Sequence, residues 1–430
     1  MDSLLRRAAA ADQDGRQTGV SKEKRKVSGG RLPVLIMLFY LLAFLLSASR
    51  TGDRTGYILA AAVPVMILIC TRLLPHFFPM DRLVMTLTAF LCALGLLLLY
   101  VTRPAYAVQQ AIACGTGLVL MVLCTCFVRA MHTGRRIIWV IMPLSLLLLS
   151  LPLMLGKPVN GALNWVTFGS LSFQPSELVK LSLILVLSFF LSRRSMLPWL
   201  LYVLLCLLIL LLQRDLGTAL LYFCSALLLY WASSGNVPVS ILGLAAGAGA
   251  AFYGYQAFPH VRLRVSLWLN PLEGGAASGE QLLKGFAAIS EGGLWGSGLG
   301  LGNPTSIPVY ESDFMFAVLC EQFGMVFSIC VLLMYAALIW RRMEIAVSAR
   351  RSFHGLLSMG SVTMIGLQTF VIVGGVLRLI PLTGVPLPFI SFGGTSLVSN
   401  LCLIGFVQGV ACINRDNSEE EVRLSMLERG

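Results

Sequence analysis

Charge is what this sequence has least of. Asp, Glu, Lys and Arg together make up 12% of 430 residues, about half the share found in soluble domains. With 57% hydrophobic residues and a mean hydropathy of +0.83, that scarcity excludes a water-soluble globule. Histidine is also scarce, and the four present lack any ligand spacing, so no zinc motif is read. The eleven cysteines form no disulfide framework. Cys92, Cys114, Cys206 and Cys402 fall inside apolar runs, where thiols act as small apolar groups. No cleavable secretory leader is apparent, because the arm before the first apolar run is long and charged and no small-residue site follows that run. The first run is expected to remain as an anchor.

Long apolar runs are what the sequence has in quantity. Crossing the hydrocarbon core takes roughly 20 apolar residues. About twelve runs approach that length: 32–49, 57–74, 83–101, 105–128, 137–155, 178–191, 197–212, 216–233, 237–258, 314–340, 353–377 and 395–413. The expected fold is an all-α polytopic membrane protein with about twelve transmembrane helices.

Orientation follows from where basic residues collect, since translocating them is disfavoured. The clusters are Arg25, Lys26 and Arg31; Arg129, Arg135 and Arg136; Arg193 and Arg194; and Arg341, Arg342, Arg350 and Arg351. If every run spans, all of these lie on one side and both termini are cytoplasmic. Segments 156–174, 259–312 and 378–393, with the turn at Arg214 and Asp215, are then extracytoplasmic. The formal charge of +12 is largely explained by these clusters, so it is not read as a nucleic-acid surface.

Residues 1–31 read as a disordered basic cytoplasmic arm with affinity for anionic headgroups, and 414–430 as a short solvated cytoplasmic tail. The long segment 259–312 carries Arg262, Arg264, Glu273, Lys284 and Glu291 together with GGLWGSGLGLGNP, more chemistry than a connector needs. Within it, 281–290 is expected to form a short interfacial helix with Phe286 and Ile289 toward lipid. GLAAGAG, with Gly243 and Gly247 four apart, indicates close helix packing.

Ionisable side chains at membrane depth are costly, so each is a functional candidate. In GALNWVTFGSLSFQPSELVK, Pro175 precedes a helix with Ser176 as expected cap, and Gln174, Glu177 and Lys180 share one face. Glu177 either complements the helix dipole while Lys180 snorkels outward, or Lys180 meets a pyrophosphate as a point charge. In IPVYESDFMFAVLCEQFG, Ser312 and Asp313 are either a capping pair or the site of a carboxylate held at the outer rim. Glu321 lies two turns deeper on nearly the same face, which suggests two acids in one cavity. Asp215 at its turn joins the polar candidates. RLIPLTGVPLPFISFGGTS holds Pro381, Pro386 and Pro388, so its backbone is not helical and needs protein or a water cavity around it. Arg378 at its start either serves phosphate or ends the preceding helix, and Ser391 is counted among the pyrophosphate contacts.

Four blocks, taken in order, resemble the SEDS family (shape, elongation, division and sporulation), whose members include FtsW, RodA and SpoVE. They are NGALNWVTFGSLSFQPSELVK; QRDLGTALL; RLRVSLWLNP through FAAISEGGLWGSGLGLG to ESDFMFAVLCEQFG; and LIPLTGVPLPFISFGGTS. The resemblance implies a ten-helix core over 81–413, including the outer loop 259–312, to which 32–80 add two amino-terminal helices. It implies a peptidoglycan glycosyltransferase of the bacterial plasma membrane that polymerises lipid II beside a class B penicillin-binding transpeptidase, with a divalent cation, Mg²⁺ or Mn²⁺. By motif match Asp313 falls on the essential acid and Lys180 on the lysine ending the QPSE block. Asn164, Ile372 and Gln322 depart from the family's Arg, Asn and Glu.

In that reaction a sugar 4-hydroxyl of one lipid II attacks the anomeric carbon bearing pyrophosphate on the growing chain. Asp313 is assigned as general base, with metal ligation as its alternative role. Lys180, Arg264 and Arg378 would offset charge on the undecaprenyl pyrophosphate leaving group. Two rival functions stay open: a lipid II flippase, and a non-enzymatic scaffold for a transpeptidase.

Overall fold

The computed structural model describes residues 31–131, 135–156, 162–169, 171–271 and 277–428. The arm 1–30 and Glu273 lie outside the described residues. Among the described residues, eleven helices are long and apolar enough to cross a membrane, and a shorter apolar one joins them. The expectation of an all-α polytopic membrane protein holds.

The chain opens with a helical pair, α1 (Leu32–Thr51) and α2 (Arg54–Phe77). Gly52 turns it in the left-handed region (φ 66°), and Asp53 caps α2 by accepting from the Thr55 N–H. The pair packs on α3 (Arg82–Thr102): the Tyr40 hydroxyl donates to Phe90 O at 2.9 Å, and Gly56 lies against the Tyr100 ring. Next come α4 (Pro104–Ala130) and α5 (Arg135–Leu155). A two-stranded antiparallel hairpin, β1 (Val166–Phe168) and β2 (Leu171–Phe173), pairs Val166 with Phe173. Four further helices are α6 (Pro175–Ser192), α7 (Met196–Leu212, the short one), α8 (Leu216–Ser234) and α9 (Val237–Ala257). In the segment expected as a long loop, α10 (Pro259–Leu269), α11 (Ala277–Gly292) and the single turn α12 (Tyr310–Asp313) appear. The chain closes with α13 (Met315–Val347), α14 (Ser352–Val376) and α15 (Gly394–Leu427).

Most of α3, α6, α14 and α15 is buried, and these helices form the centre; α9 has no buried residue and stands at the edge. Their sequences are apolar on every face, as helices surrounded by protein and lipid must be. Large exposed side chains such as Leu42, Ile112 and Leu147 point outward, where hydrocarbon costs them nothing. Gly243 and Gly247 let α9 approach Leu227 and Phe223 of α8, as the spacing indicates.

Three expectations are corrected. The helix read as ending near 413 continues to Leu427, because its polar end is held by Arg415 with Glu419 (3.0 Å), Arg129 with Asp416 (3.0 Å) and Arg350 with Glu421. Phe286 and Ile289 pack against the hydrophobic core rather than toward lipid, since α11 lies along α13 with Gly285 on the Phe314 ring. Ser176 is not the cap of α6: Gln174 is, with Pro175 in the first turn.

The span α13 is broken. Gly324 takes φ 80°, ψ 171°, which frees carbonyls at membrane depth. The glycine-rich segment answers them: Ser297 N–H donates to Glu321 O (2.8 Å) and Gly298 N–H to Gln322 O (3.1 Å). In return the Met325 N–H donates to Gly293 O (2.9 Å). The approach is too close for side chains, since a Cβ on Gly296 would sit 2.3 Å from Gln322 O.

Along α4 and α15 the backbones also meet. A Cβ on Gly405 would stand 2.4 Å from Met121 O, and the Thr125 hydroxyl lies 3.1 Å from Gly405 O. Replacing Gly405 with Val is expected to lower stability by about 1–3 kcal/mol through overpacking. The check is the melting temperature of detergent-solubilised protein, which should fall for Gly405→Val and stay level for a lipid-facing change such as Ile112→Val.

Candidate functional site

Asp313 ends α12, two residues before α13 begins, and its carboxyl stands partly buried at the rim of the bundle. Its Oδ1 accepts from the Ser312 hydroxyl at 2.8 Å. Gly384 of the proline-rich loop abuts the other oxygen, for a Cβ there would lie 3.6 Å from Oδ2. Arg264 on α10 supplies the nearby positive charge. Burial pushes the Asp313 carboxyl above the ordinary aspartate range. The Ser312 hydrogen bond and the Arg264 charge oppose that shift, and Glu311 adds to it.

Arg264 is exposed and anchored on one edge only, with Nη1 donating to Leu382 O (3.3 Å) and Thr383 O (3.1 Å). Its remaining donors face outward, beside an equally exposed Arg262. Arg378 is more fully engaged. Its Nε donates to Trp268 O (2.6 Å), Nη2 bonds Leu269 O, and its own carbonyl accepts from the Trp268 indole (3.0 Å). It thereby ties α10 to the loop, and its φ of 59° ends α14.

The loop itself, 378–393, is held from several sides. Gln110 of α4 donates to Ser391 O (2.9 Å), Tyr106 stacks on Phe392, and Tyr335 of α13 bonds Pro388 O. The Phe392 N–H donates to Glu311 O at 2.8 Å, joining the loop to the turn that carries Asp313. The Ser391 hydroxyl is buried and accepts from the Leu387 N–H (3.1 Å), so it braces the loop from inside. Val309, Arg378 and Phe389 all adopt left-handed backbone, a strained state for such residues, and all border this carboxylate or its wall.

The other candidates are placed elsewhere. Lys180 is 3% exposed and pairs with Glu177 at 2.5 Å. Asn400 Oδ1 (2.9 Å) and Gln368 Oε1 (3.4 Å) accept its remaining protons, and Ser399 donates to Glu177. This buried cluster reaches the site indirectly, because Gln368 also donates to Pro386 O at 2.9 Å. Asp215 caps α8 through the Thr218 N–H and accepts from Asn164 (3.1 Å) and Gln174 (3.0 Å), which closes the hairpin over that end. Gln174 is therefore turned away from the Glu177–Lys180 pair that the helical spacing assigns to the same face. Glu321 is parted from Asp313: it is 1% exposed and accepts from the Asn303 N–H (2.6 Å) beneath the glycine segment, while Asp313 stands on the other side of the non-helical Phe314 (φ −115°, ψ 17°).

Reasoning on the sequence did not single out Gln368, Gln110 or Tyr335. Gln110 and Gln368 are polar residues inside apolar runs, the same signal that marked Lys180, while Tyr335 gave no such signal. Among the described residues no group of three or more His, Cys, Asp or Glu could hold a metal ion. The donors at the rim, a carboxylate and a serine hydroxyl, suit an ion that keeps most of its waters and shares a substrate's phosphates.

The chain was compared with known proteins. Peptidoglycan glycosyltransferase RodA of Mycobacterium tuberculosis is 29% identical over 364 residues, covering 77% of this chain and 78% of that protein. Stage V sporulation protein E of Bacillus subtilis is 29% identical over 362 residues, covering 78% and 98%. Among solved structures, Thermus thermophilus Rod shape determining protein RodA aligns at a TM-score of 0.58 and 29% identity, covering 80% of this chain and 99% of that one. A chain from a structure described as structural coordination of polymerization and crosslinking by a peptidoglycan synthase complex aligns at 0.65 and 29%, covering 78% and 98%. The cell cycle protein family of FtsW, RodA and SpoVE matches residues 80–416, and this chain belongs to it.

Proposed function

We infer that this chain is a peptidoglycan glycosyltransferase that joins lipid II into glycan strands at the outer face of a bacterial membrane. The observation that carries the reading is Asp313 at the rim, desolvated, flanked by Arg264 and walled by the proline-rich loop. A base must be present as carboxylate yet basic enough to take a hydroxyl proton, and desolvation moves Asp313 in that direction. The proton of the attacking sugar 4-hydroxyl goes to Asp313, and the undecaprenyl pyrophosphate leaves with its electron pair. Arg264, with outward donors, offsets that charge. Asp313 and Ser312 would be the residues to hold a magnesium or manganese ion, which would supply Lewis-acid neutralisation of the leaving charge.

Lys180, Glu177, Arg378 and Ser391 take a different part from the pyrophosphate contacts their motifs suggest. Each is engaged within the protein, Arg378 through Nε and Nη2, and together they support the loop that walls Asp313. The arginine pairs at the far end of α13, Arg341 with Asp81 and Arg350 with Glu421, support a cytoplasmic assignment for that end and an outer one for Asp313. The relative solved within a complex for polymerization and crosslinking supports a class B penicillin-binding transpeptidase as partner.

Asp313→Asn is expected to lower polymer formation from purified lipid II by about 10²–10⁴, with an unchanged melting temperature. Glycan length on a gel is the readout, and normal strands from this variant would remove Asp313 from the mechanism. Because its carboxyl titrates above the ordinary range, the active base is lost as pH falls through that raised value. The initial rate should therefore begin to drop at a higher pH than an unperturbed aspartate would give, and a flat rate down to pH of about 4 would contradict this.

Lys180→Met strands a buried Glu177 charge and should destabilise the protein by about 3–5 kcal/mol. If the pair is structural, the double change Lys180→Met with Glu177→Leu restores both melting temperature and polymer formation. A double variant that is stable but inactive would return Lys180 to the substrate.

A further inference from the structure

The end of the bundle opposite Asp313 holds a cavity that catalysis does not use. It has a volume of about 580 Å³ and lies where the α2–α3 turn, the end of α13 and the extended part of α15 meet. Arg341 is 28 positions beyond Asp313, about 40 Å along a helix axis, so the cavity belongs to the other membrane surface. Its rim carries Arg82, Arg341, Arg350 and Arg415 against only two carboxylates, Asp81 and Glu421. Apolar side chains, Pro79, Met80, Ile345 and Ala411, share the rest of the lining with Ser348, Asn414 and Ser418.

Retention of basic residues at one membrane face accounts for arginines there, but not for a concave site that sets them beside apolar side chains. Three of the arginines have partners: Arg341 bonds Asp81 (2.7 Å) and Glu344 (2.6 Å), Arg350 bonds Glu421, and Arg415 bonds Glu419 (3.0 Å). Arg82 is exposed and has no side-chain partner among the described residues. The residue that follows Arg341 along α13 adds positive charge of its own. Arg342 is wholly buried, and its Nε, Nη1 and Nη2 have no hydrogen-bond partner. An uncompensated guanidinium in a low-dielectric interior attracts an anion across longer distances than a surface charge does.

We propose that this cavity binds the phosphate of an anionic phospholipid headgroup, with Arg82, Arg350 and Arg415 on the phosphate and the apolar lining, Pro79, Met80, Ile345 and Ala411, beside the glycerol and first acyl carbons. The mixed lining selects an amphiphile over a wholly polar phosphate compound, and its level at the span ends puts it among headgroups. α15 makes the site possible by continuing past the membrane as a helix, which brings Arg415 and Glu421 over the cavity. The inference does not rest on the glycosyltransferase reading, because its readout is bound lipid.

The test uses the full chain in nanodiscs of phosphatidylcholine containing a minor fraction of phosphatidylglycerol, with retained lipid counted by native mass spectrometry. The wild type should retain phosphatidylglycerol in preference, and R82Q/R350Q should lose roughly tenfold of that preference. A control, R50Q/R54Q, removes the same charge at the opposite end and should keep it. Equal loss in both pairs, or no preference for phosphatidylglycerol in the wild type, overturns the proposal. Inorganic phosphate or pyrophosphate, titrated in, should leave the lipid in place. Displacement by these anions would assign the cavity to a soluble phosphate and overturn the lipid. If R82Q/R350Q does not melt like the wild type in pure phosphatidylcholine, R82Q alone gives the reading, with a smaller loss expected and no loss counting against the site.

Discussion

Backbone that leaves the helix inside a membrane must find partners within the protein, since hydrocarbon offers none. Among the described residues, the break in α13 and the proline-rich loop leave the helix at that depth, and most of the architecture near Asp313 follows from how they are paired. The break in α13 at Gly324 is closed by the glycine segment, whose amides reach carbonyls that an unbroken helix would have kept for itself. The proline-rich loop after α14 lacks the N–H of Pro381, Pro386 and Pro388 and is held largely by side chains: Gln110, Gln368, Tyr335, Arg264 and Arg378 all bond its carbonyls or, for Arg378, lie at its start. One segment is thus rich in glycine because backbone touches backbone. The other is ringed by glutamine, tyrosine and arginine because its non-helical carbonyls need donors from outside the loop.

Burying Glu177 and Lys180 together is the costly part of this arrangement, and the geometry shows why it is tolerated. The charges neutralise each other at 2.5 Å, and Ser399, Asn400 and Gln368 satisfy the remaining valences. Gln368 then carries that order outward, through Pro386, to the stretch of loop whose Gly384 lies on the Asp313 carboxyl. A charge pair in the core and a half-buried acid at the rim are joined through one amide side chain.

Much of this was legible from residue patterns. Apolar run lengths locate the spans, because lipid imposes length on a helix whatever its packing. The cost of ionisable groups in lipid marks Lys180, Glu177 and Asp313 before any contact is known. What could not be read was which marked residues face each other. Glu321 and Asp313 look like neighbours on a continuous helix, but the non-helical Phe314 stands between them and the glycine segment folds over Glu321, which accepts from Asn303. Gln174 looks like a neighbour of Glu177, but as the cap of α6 it turns to Asp215. Helical periodicity fails at both places for the same reason: each residue stands at a helix end or near a break, where position on a face ceases to be defined. The departure at Asn164 also becomes intelligible, since an amide there is enough to bond the Asp215 carboxylate, which serves as a cap.

The helical pair at the amino terminus covers α3, with Tyr40 on the Phe90 carbonyl and Gly56 seated on the Tyr100 ring. A foreign anchor drifting in the bilayer toward that side would encounter α1 and α2 rather than α3. The chain brings its own companions for one flank, and any helix supplied by another subunit has to settle on a different part of the circumference.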